Sequence, residues 1–251
     1  MATQLTVKGA TVRWIEPLGQ GATSAVWLGD SDGTPCLLKL GRGPAEAPRF
    51  ADEAERLLFA AAPEFPTLLA VGLVGAPLAA ELTQSGVGAA GELGAPYLLL
   101  SAAPGQALDR ILANPELGAG EREALALAVA RDLGAALAAL HGSGAAHGDV
   151  KPANVIVARD SSSGAAVYRA RLVDFGLSGS AQVAQPIGGT RRYLAPEVFA
   201  DRASDARARD LWALGATLLE ILEPEAAEGA IADFELSAGE GPLSAVVHAL
   251  L

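Results

Sequence analysis

Apolar and polar positions alternate with a period of two in the first part of the chain. Leu5, Val7 and Val12 alternate loosely with polar residues, and apolar runs at 25–28 and 36–40 follow a glycine-rich turn. Such alternation is typical of strands that bury one face. This part of the chain therefore predicts a small β-sheet.

Three later segments repeat apolar residues at the spacing of a helix. They are 46–61, 121–141 and 207–222, and the longest carries Leu125, Val129, Leu133, Leu137 and Leu140 on one face. Shorter patterns predict strands at 68–82, 97–101, 155–158 and 171–173, and a short helix at 107–113. Because strands come first and helices second, the order predicts an α+β chain in two segregated lobes.

Composition excludes several classes of protein. Charged residues make up 19% and apolar residues 51% of the 251 residues, which rules out wholesale disorder. The formal net charge of −11 argues against non-specific nucleic-acid binding, which needs a basic surface. Cys36 is the lone cysteine, so the chain has neither an internal disulfide framework nor a multi-cysteine metal site.

The sequence shows no targeting or membrane signal. Residues 1–14 lack a basic cap followed by an apolar run, and no stretch reaches the roughly 18 uninterrupted apolar residues of a membrane span. The longest Ala/Leu segment, 124–140, is interrupted by Arg131 and Asp132. We expect a cytoplasmic protein with no membrane segment in this chain.

Two parts of the predicted sheet carry residues suited to binding phosphate. Residues 18–27 read LGQGATSAVW, and glycine lets the backbone approach a ligand closely. Taken alone, this segment is more typical of a plain hairpin turn. Lys39 ends a later apolar run, and the helix that follows offers Glu53 and Glu55 as carboxylates that could hold its side chain.

A polar loop at 147–157, HGDVKPANVIV, brings three chemically distinct groups together. Asp149 can accept a proton from an attacking hydroxyl, and Lys151 can neutralise charge on a transferring phosphoryl group. Asn154 can offer an oxygen to a hard cation. The tripeptide DFG at 174–176 directly follows an apolar strand and could hold a metal.

The segment at 189–197, GTRRYLAPE, completes a set of five motifs. Their order and spacing resemble those of a protein kinase domain of the serine/threonine type, in the version found widely in bacteria. The resemblance covers about residues 12–222. It implies an α+β protein-kinase-like fold in two lobes, a β-rich N-lobe with one helix at 1–103 and an α-rich, shortened C-lobe at 104–251.

The resemblance implies roles for residues of the first lobe. Lys39 would hold the α- and β-phosphates of ATP. Glu53 would be its partner rather than Glu55, because Leu57 then falls where the family keeps an apolar spine residue. The remaining nucleotide-binding residues would be the glycine-rich loop (Leu18, Gly19, Gly21, Val26 and Ser24, which replaces the third glycine), the gatekeeper Leu100 and backbone groups from Ser101 to Ala103.

In the second lobe, Asp149 would be the catalytic base and Lys151 would neutralise phosphoryl charge. Asn154 and Asp174 would bind Mg²⁺, with Mn²⁺ as an alternative. The implied reaction transfers the γ-phosphoryl group of ATP to a Ser or Thr hydroxyl of a protein. A structural inner spine would consist of His147, Phe175 and their anchor Asp210.

Departures from the family pattern leave alternatives open. HGD is also the catalytic triplet of aminoglycoside and choline phosphotransferases, so a small-molecule kinase is a rival, although Lys151 and GTRRYLAPE favour a protein acceptor. Leu37 replaces a small residue usual against the adenine. This residue and the short C-lobe keep a nucleotide-binding pseudokinase scaffold open. The acidic region at 220–240 favours basic protein substrates.

Overall fold

The structure, a computed structural model, describes most of the chain. The described residues are 4–7, 10–20, 23–59, 63–84, 91–160, 167–174, 179–180, 191–199, 205–224 and 249–250. The chain divides into two compact units, Met1–Leu58 with Pro66–Ala102, and Phe59–Phe65 with Ala103–Leu251. The lobe boundaries expected from the sequence, 1–103 and 104–251, stay a prediction.

The first unit is built on a six-stranded antiparallel sheet. Its strands are β1 Gln4–Val7, β2 Ala10–Gln20, β3 Ser24–Ser31, β4 Thr34–Gly41, β5 Leu68–Leu73 and β6 Pro96–Ser101, in the order β1–β2–β3–β4–β6–β5. Strand β4 contributes Cys36, Leu38 and Leu40 to the apolar core. Because side chains alternate along a strand, Leu37 and Lys39 lie on the opposite face.

Two helices belong to the described part of this unit, α1 Ala47–Phe59 and α2 Ala76–Gln84. The sequence predicted one helix and a strand reaching residue 82, but the chain leaves the sheet after Leu73. Pro77 lacks the N–H that a strand pairs with, and it fits the first turn of a helix. Leu78 and Leu82, one helical turn apart, are buried. Short Ala/Leu runs satisfy either pattern, which explains the difference.

The second unit contains the two longest helices of the described chain, α4 Ala119–Gly142 and α6 Ala206–Leu222, which pack against each other. These bounds confirm the helices predicted at 121–141 and 207–222. The other elements are β7 Gln106–Ala107, α3 Leu108–Leu112, β8 Ala145–Ala146, β9 Val155–Asp160, β10 Val167–Leu172, β11 Gly179–Ser180 and α5 Pro196–Phe199. The sheet β10–β9–β7 packs on α4 through β10.

Helix α4 is long and apolar enough, with a mean hydropathy of 1.4, to cross a membrane by length and composition alone. Half of that apolar window is buried inside the protein. Near its middle, the buried Asp132 accepts a hydrogen bond from Ala170 N at 2.8 Å. Arg131 donates to the same carboxylate and to Tyr168 O. The core of a folded unit therefore explains the apolar composition of this helix.

Gly105, just before β7, gives the first testable prediction. Its φ is +119°, and an added Cβ would lie 2.1 Å from Val157 O. Gly105→Ala should therefore destabilise the second unit by at least about 3 kcal/mol, because the clash adds to the roughly 1–3 kcal/mol typical of backbone strain alone. Thermal unfolding measures the loss.

The matched control is Gly134→Ala in the interior of α4, where an added Cβ would meet no atom within 4 Å. This change should raise the free energy of unfolding by up to about 1 kcal/mol, because alanine is the better helix former. Equal melting temperatures for the two variants would contradict the role assigned to Gly105.

Candidate active site

Lys39 and Glu53 form a buried ion pair in the first unit. Lys39 Nζ lies 2.8 Å from Glu53 Oε1 and 2.9 Å from Oε2. The two residues are only 7% and 2% exposed. Nζ also lies 5.9 Å from the centre of the Phe50 ring, within the range of a cation–π contact. The predicted pairing of Lys39 with Glu53 is confirmed, and Glu55 is exposed.

Strand β4 brings four of the residues singled out from the sequence into register. Lys39 lies opposite Val26 of β3, and Leu37 lies opposite Leu100 of β6. Residues directly opposite in an antiparallel sheet carry their side chains on the same face. Val26, Leu37, Lys39 and the buried Leu100 therefore share one face of the sheet.

The hairpin of β2 and β3 carries the glycine-rich segment. Gly19 pairs with Val26, and the neighbouring Leu18 is exposed. A Cβ added at Gly19 would meet no atom within 4 Å, so packing inside the protein does not demand glycine there. A ligand that comes close to the backbone would demand it. Ser24 begins β3, and Gly21 lies outside the described residues.

The segment predicted to bond the adenine already uses two of its backbone N–H groups. Ser101 N donates to Thr67 O at 2.9 Å, and Ala102 N donates to Pro35 O at 3.1 Å. Neither amide is open to a base while these bonds persist. The predicted backbone groups of this segment therefore narrow to the carbonyls of Ser101 and Ala102 and the backbone of Ala103.

Asp149, Lys151 and Asn154 form a hydrogen-bonded cluster in the second unit. Lys151 Nζ donates to Asp149 Oδ2 at 2.7 Å. Asn154 Nδ2 donates to the same oxygen at 3.0 Å and to the Asp149 carbonyl at 2.8 Å. A 3-10 turn at Pro152–Asn154 brings the three residues together. The result is a carboxylate held in one orientation by two donors, one of which is an ammonium group.

A buried carboxylate on α6 holds the start of this loop. Asp210, 1% exposed, accepts hydrogen bonds from His147 N and Gly148 N, both at 2.8 Å. His141 Nε2 lies 2.9 Å from its Oδ2. Gly148 has a φ of +82°, a conformation that favours glycine. The anchoring predicted for Asp210 is confirmed, while Phe175 lies outside the described residues.

Asp174 lies just after β10, in a segment that is joined to the turn containing Asn154. Val173 N donates to Asn154 O at 2.9 Å, which joins the two segments. Asp174 is exposed and has a φ of +67°. Left-handed backbone at a non-glycine residue is a strained conformation that clusters at functional sites.

The donor atoms of Asn154 and Asp174 suit a hard cation. Amide and carboxylate oxygens are the ligands that Mg²⁺ prefers, and this ion is usually bound by one or two protein side chains together with phosphates and water. No group of three or more His, Cys, Asp or Glu side chains gathers in the part of the chain that the structure describes. The residues present therefore fit an ion shared with a phosphate ligand better than a site built from protein alone.

Comparison with known proteins identifies the family. A family model for the protein kinase domain matches residues 89–229, more than half of the chain. The chain belongs to this family. The crystal structure of the PF14_0431 kinase domain is similar with a TM-score of 0.65 and 18% identity, over 88% of this chain and 66% of that one. The predicted α+β, protein-kinase-like fold class is thereby confirmed.

Curated relatives carry the names of serine/threonine-protein kinases. PknE of Mycobacterium tuberculosis is 39% identical over 103 residues, which are 39% of this chain and 17% of that protein. PKZ1 of Phytophthora infestans is 37% identical over 107 residues, 38% of this chain and 27% of PKZ1. AfsK of Streptomyces griseus is 30% identical over 129 residues, 49% and 15% respectively. This chain thus spans less than a third of each relative.

His147 makes the stability of the second unit sensitive to acid. Burial lowers the pKa of His147, and the carboxylates of Asp210, Asp174 and Asp149 oppose this only in part. Below about pH 6.5 the unfolded chain binds a proton at this residue, whereas the folded chain does not. The free energy of unfolding should therefore keep its full value above about pH 6.5 and fall by up to about 1.4 kcal/mol per pH unit below it.

Urea unfolding between about pH 5 and pH 8 measures this effect, with His147→Phe as the control. The variant keeps a ring in the core and loses the titrating group, so its stability should depend less on pH in the acid range. Parallel pH profiles for the two proteins would show that His147 does not contribute.

Proposed function

We propose that this protein transfers the γ-phosphoryl group of Mg·ATP to a Ser or Thr hydroxyl of a protein. The observation that carries the proposal is the cluster of Asp149, Lys151 and Asn154, in which one carboxylate oxygen receives both an ammonium and an amide donor. A phosphoryl transfer needs such a carboxylate to orient the acceptor hydroxyl and a cation beside it.

Each residue has a distinct part in the proposed reaction. Asp149 receives the hydrogen bond of the acceptor hydroxyl and then its proton. Lys151, 2.7 Å from that carboxylate, lies where it can neutralise charge on the transferring group. Asn154 and Asp174 would hold Mg²⁺, which when bound supplies further positive charge to the phosphates.

In the first unit, Lys39 is the group proposed to bind the α- and β-phosphates. Its bidentate contact with Glu53 fixes the position of its ammonium group. Because the ammonium group is in place before the substrate binds, it does not have to reorganise during the reaction. Such positioning of charge supplies most of the catalysis of phosphoryl transfer. The open backbone at Gly19 supports the same assignment to a phosphate ligand.

Two observations favour a protein Ser/Thr acceptor over a small molecule. Lys151 follows Asp149 by two residues, and the relatives named above are serine/threonine-protein kinases. Tyr193 belongs to the segment 189–197, which favours a protein acceptor, and its Oη donates to Glu220 Oε2 at 2.7 Å. A cytoplasmic location, a role in signalling and a preference for basic substrates stay predictions.

The test is phosphoryl transfer from labelled Mg·ATP, with the purified protein alone and with a basic acceptor protein. Asp149→Asn runs alongside, and a panel of small-molecule acceptors covers the rival. Label on Ser or Thr that disappears in the variant supports the proposal. Label only on a small molecule, or on no acceptor despite ATP binding, overturns it in favour of a small-molecule kinase or a scaffold.

Glu53 and Glu55 offer a matched pair of changes on one helix. Glu53→Gln removes the charge that holds Lys39, so kcat/KM for ATP should fall by about 10²-fold, corresponding to about 3 kcal/mol for a broken buried pair. Glu55→Gln removes the same charge from the exposed side of α1 and should change kcat/KM by less than about twofold. Steady-state kinetics at a temperature where both variants are folded decides. Equal losses of kcat/KM in the two variants would show that Glu53 does not support the function of Lys39.

A further inference from the structure

The first turns of α1 also contact the glycine-rich hairpin. Arg49 Nη1 donates to Thr23 Oγ1 at 2.9 Å. Thr23 directly precedes β3, and its carbonyl accepts a hydrogen bond from Arg42 N at 3.1 Å. Thr23 is therefore held at both its backbone and its side chain, and the side-chain contact comes from the helix.

Arg49, Phe50 and Glu53 lie close together around the axis of α1. At about 100° of rotation per residue, Glu53 is about 40° and Phe50 about 100° from Arg49. One side of the helix thus contacts Thr23 through Arg49 and Lys39 through Phe50 and Glu53. A displacement of this helix would disturb both contacts together.

We propose that Arg49 is a positioning residue that couples the glycine-rich hairpin to the helix holding Lys39. This inference rests on the proposed function, in which the hairpin and Lys39 bind the same phosphates. Arg49 itself need not touch the nucleotide. Because its donor is a guanidinium group, the hydrogen bond to Thr23 is of the stronger, charge-assisted kind.

Loss of this contact should raise KM for Mg·ATP about tenfold or more, the size expected for one hydrogen bond to a charged group, and change kcat by less than about twofold. KM should change more than kcat because the hairpin would bind phosphates in the ground state, while the Asp149 cluster is unchanged. A general loss of folding would instead lower the active fraction, and with it kcat.

The test is a double-mutant cycle with Thr23→Val, Arg49→Met and the double variant. Thr23→Val keeps the shape and removes the acceptor, and Thr23→Ser restores the hydroxyl. The double variant should be no worse than the more affected single variant, and Thr23→Ser should behave like the wild type. The matched control is Arg13→Met, which removes the exposed contact of Arg13 with Asp30, 3.8 Å away, from another part of the same hairpin.

A second readout needs no catalysis. Hydrogen exchange of the peptides covering 18–28 should become several-fold faster in Thr23→Val and in Arg49→Met, and should stay unchanged in Arg13→Met. Additive effects in the cycle, or unchanged exchange in both single variants, would overturn the coupling. If the wild-type protein transfers no phosphate, the proposed function fails, but the exchange experiment still decides the role of Arg49.

Discussion

The geometry of the first unit depends on the ion pair of Lys39 and Glu53. Taking both charges out of water costs several kcal/mol per ion, and mutual attraction recovers this only with close, bidentate geometry. The observed distances of 2.8 and 2.9 Å meet that condition. Well-packed apolar residues would stabilise the unit at least as well. The pair is therefore better explained by the need to present an oriented ammonium group than by stability, and it fixes where α1 must lie on the sheet.

The second unit also depends on a buried charged group that holds a neighbouring segment in place. Asp210 is a buried carboxylate whose charge is balanced by hydrogen bonds from His147 N and Gly148 N and by the contact with His141. A loop that approaches a core without strand partners leaves amides that need acceptors. Because α6 supplies the acceptor, it fixes the backbone at His147 and Gly148. This in turn fixes the position of Asp149, the next residue. The position of Asp149 is thus set by the core rather than by the loop itself.

Local patterns predicted the main helices, the family resemblance predicted the distant pairs Lys39–Glu53 and His147–Asp210, and other distant contacts were missed. The apolar period of α4 and α6 predicted both helices nearly to their ends, and the family resemblance, through the place of Leu57, distinguished Glu53 from Glu55. Helix α2 was missed because a short Ala/Leu run carries no decisive period. The contact of His141 with Asp210 spans 69 positions, and no local signal marks it. The use of the Ser101 and Ala102 amides likewise depends on strand neighbours that the pattern alone does not define.

The buried polar side chains in the described parts of the chain differ in what they contact. The buried polar side chains are Lys39, Glu53, Asp132, His147, Asn154, Asp210 and Thr217. Asp132 and Thr217 each accept from or donate to the backbone of a neighbouring segment or turn, which is the ordinary reason for a polar group in a core. The other residues all meet at Lys39 or at the Asp149 loop. Three of the four buried Lys, Asp and Glu side chains in the described residues, those of Lys39, Glu53 and Asp210, lie at these two places. Because a buried charge carries a desolvation cost, their positions argue that both places matter for the chemistry of the protein.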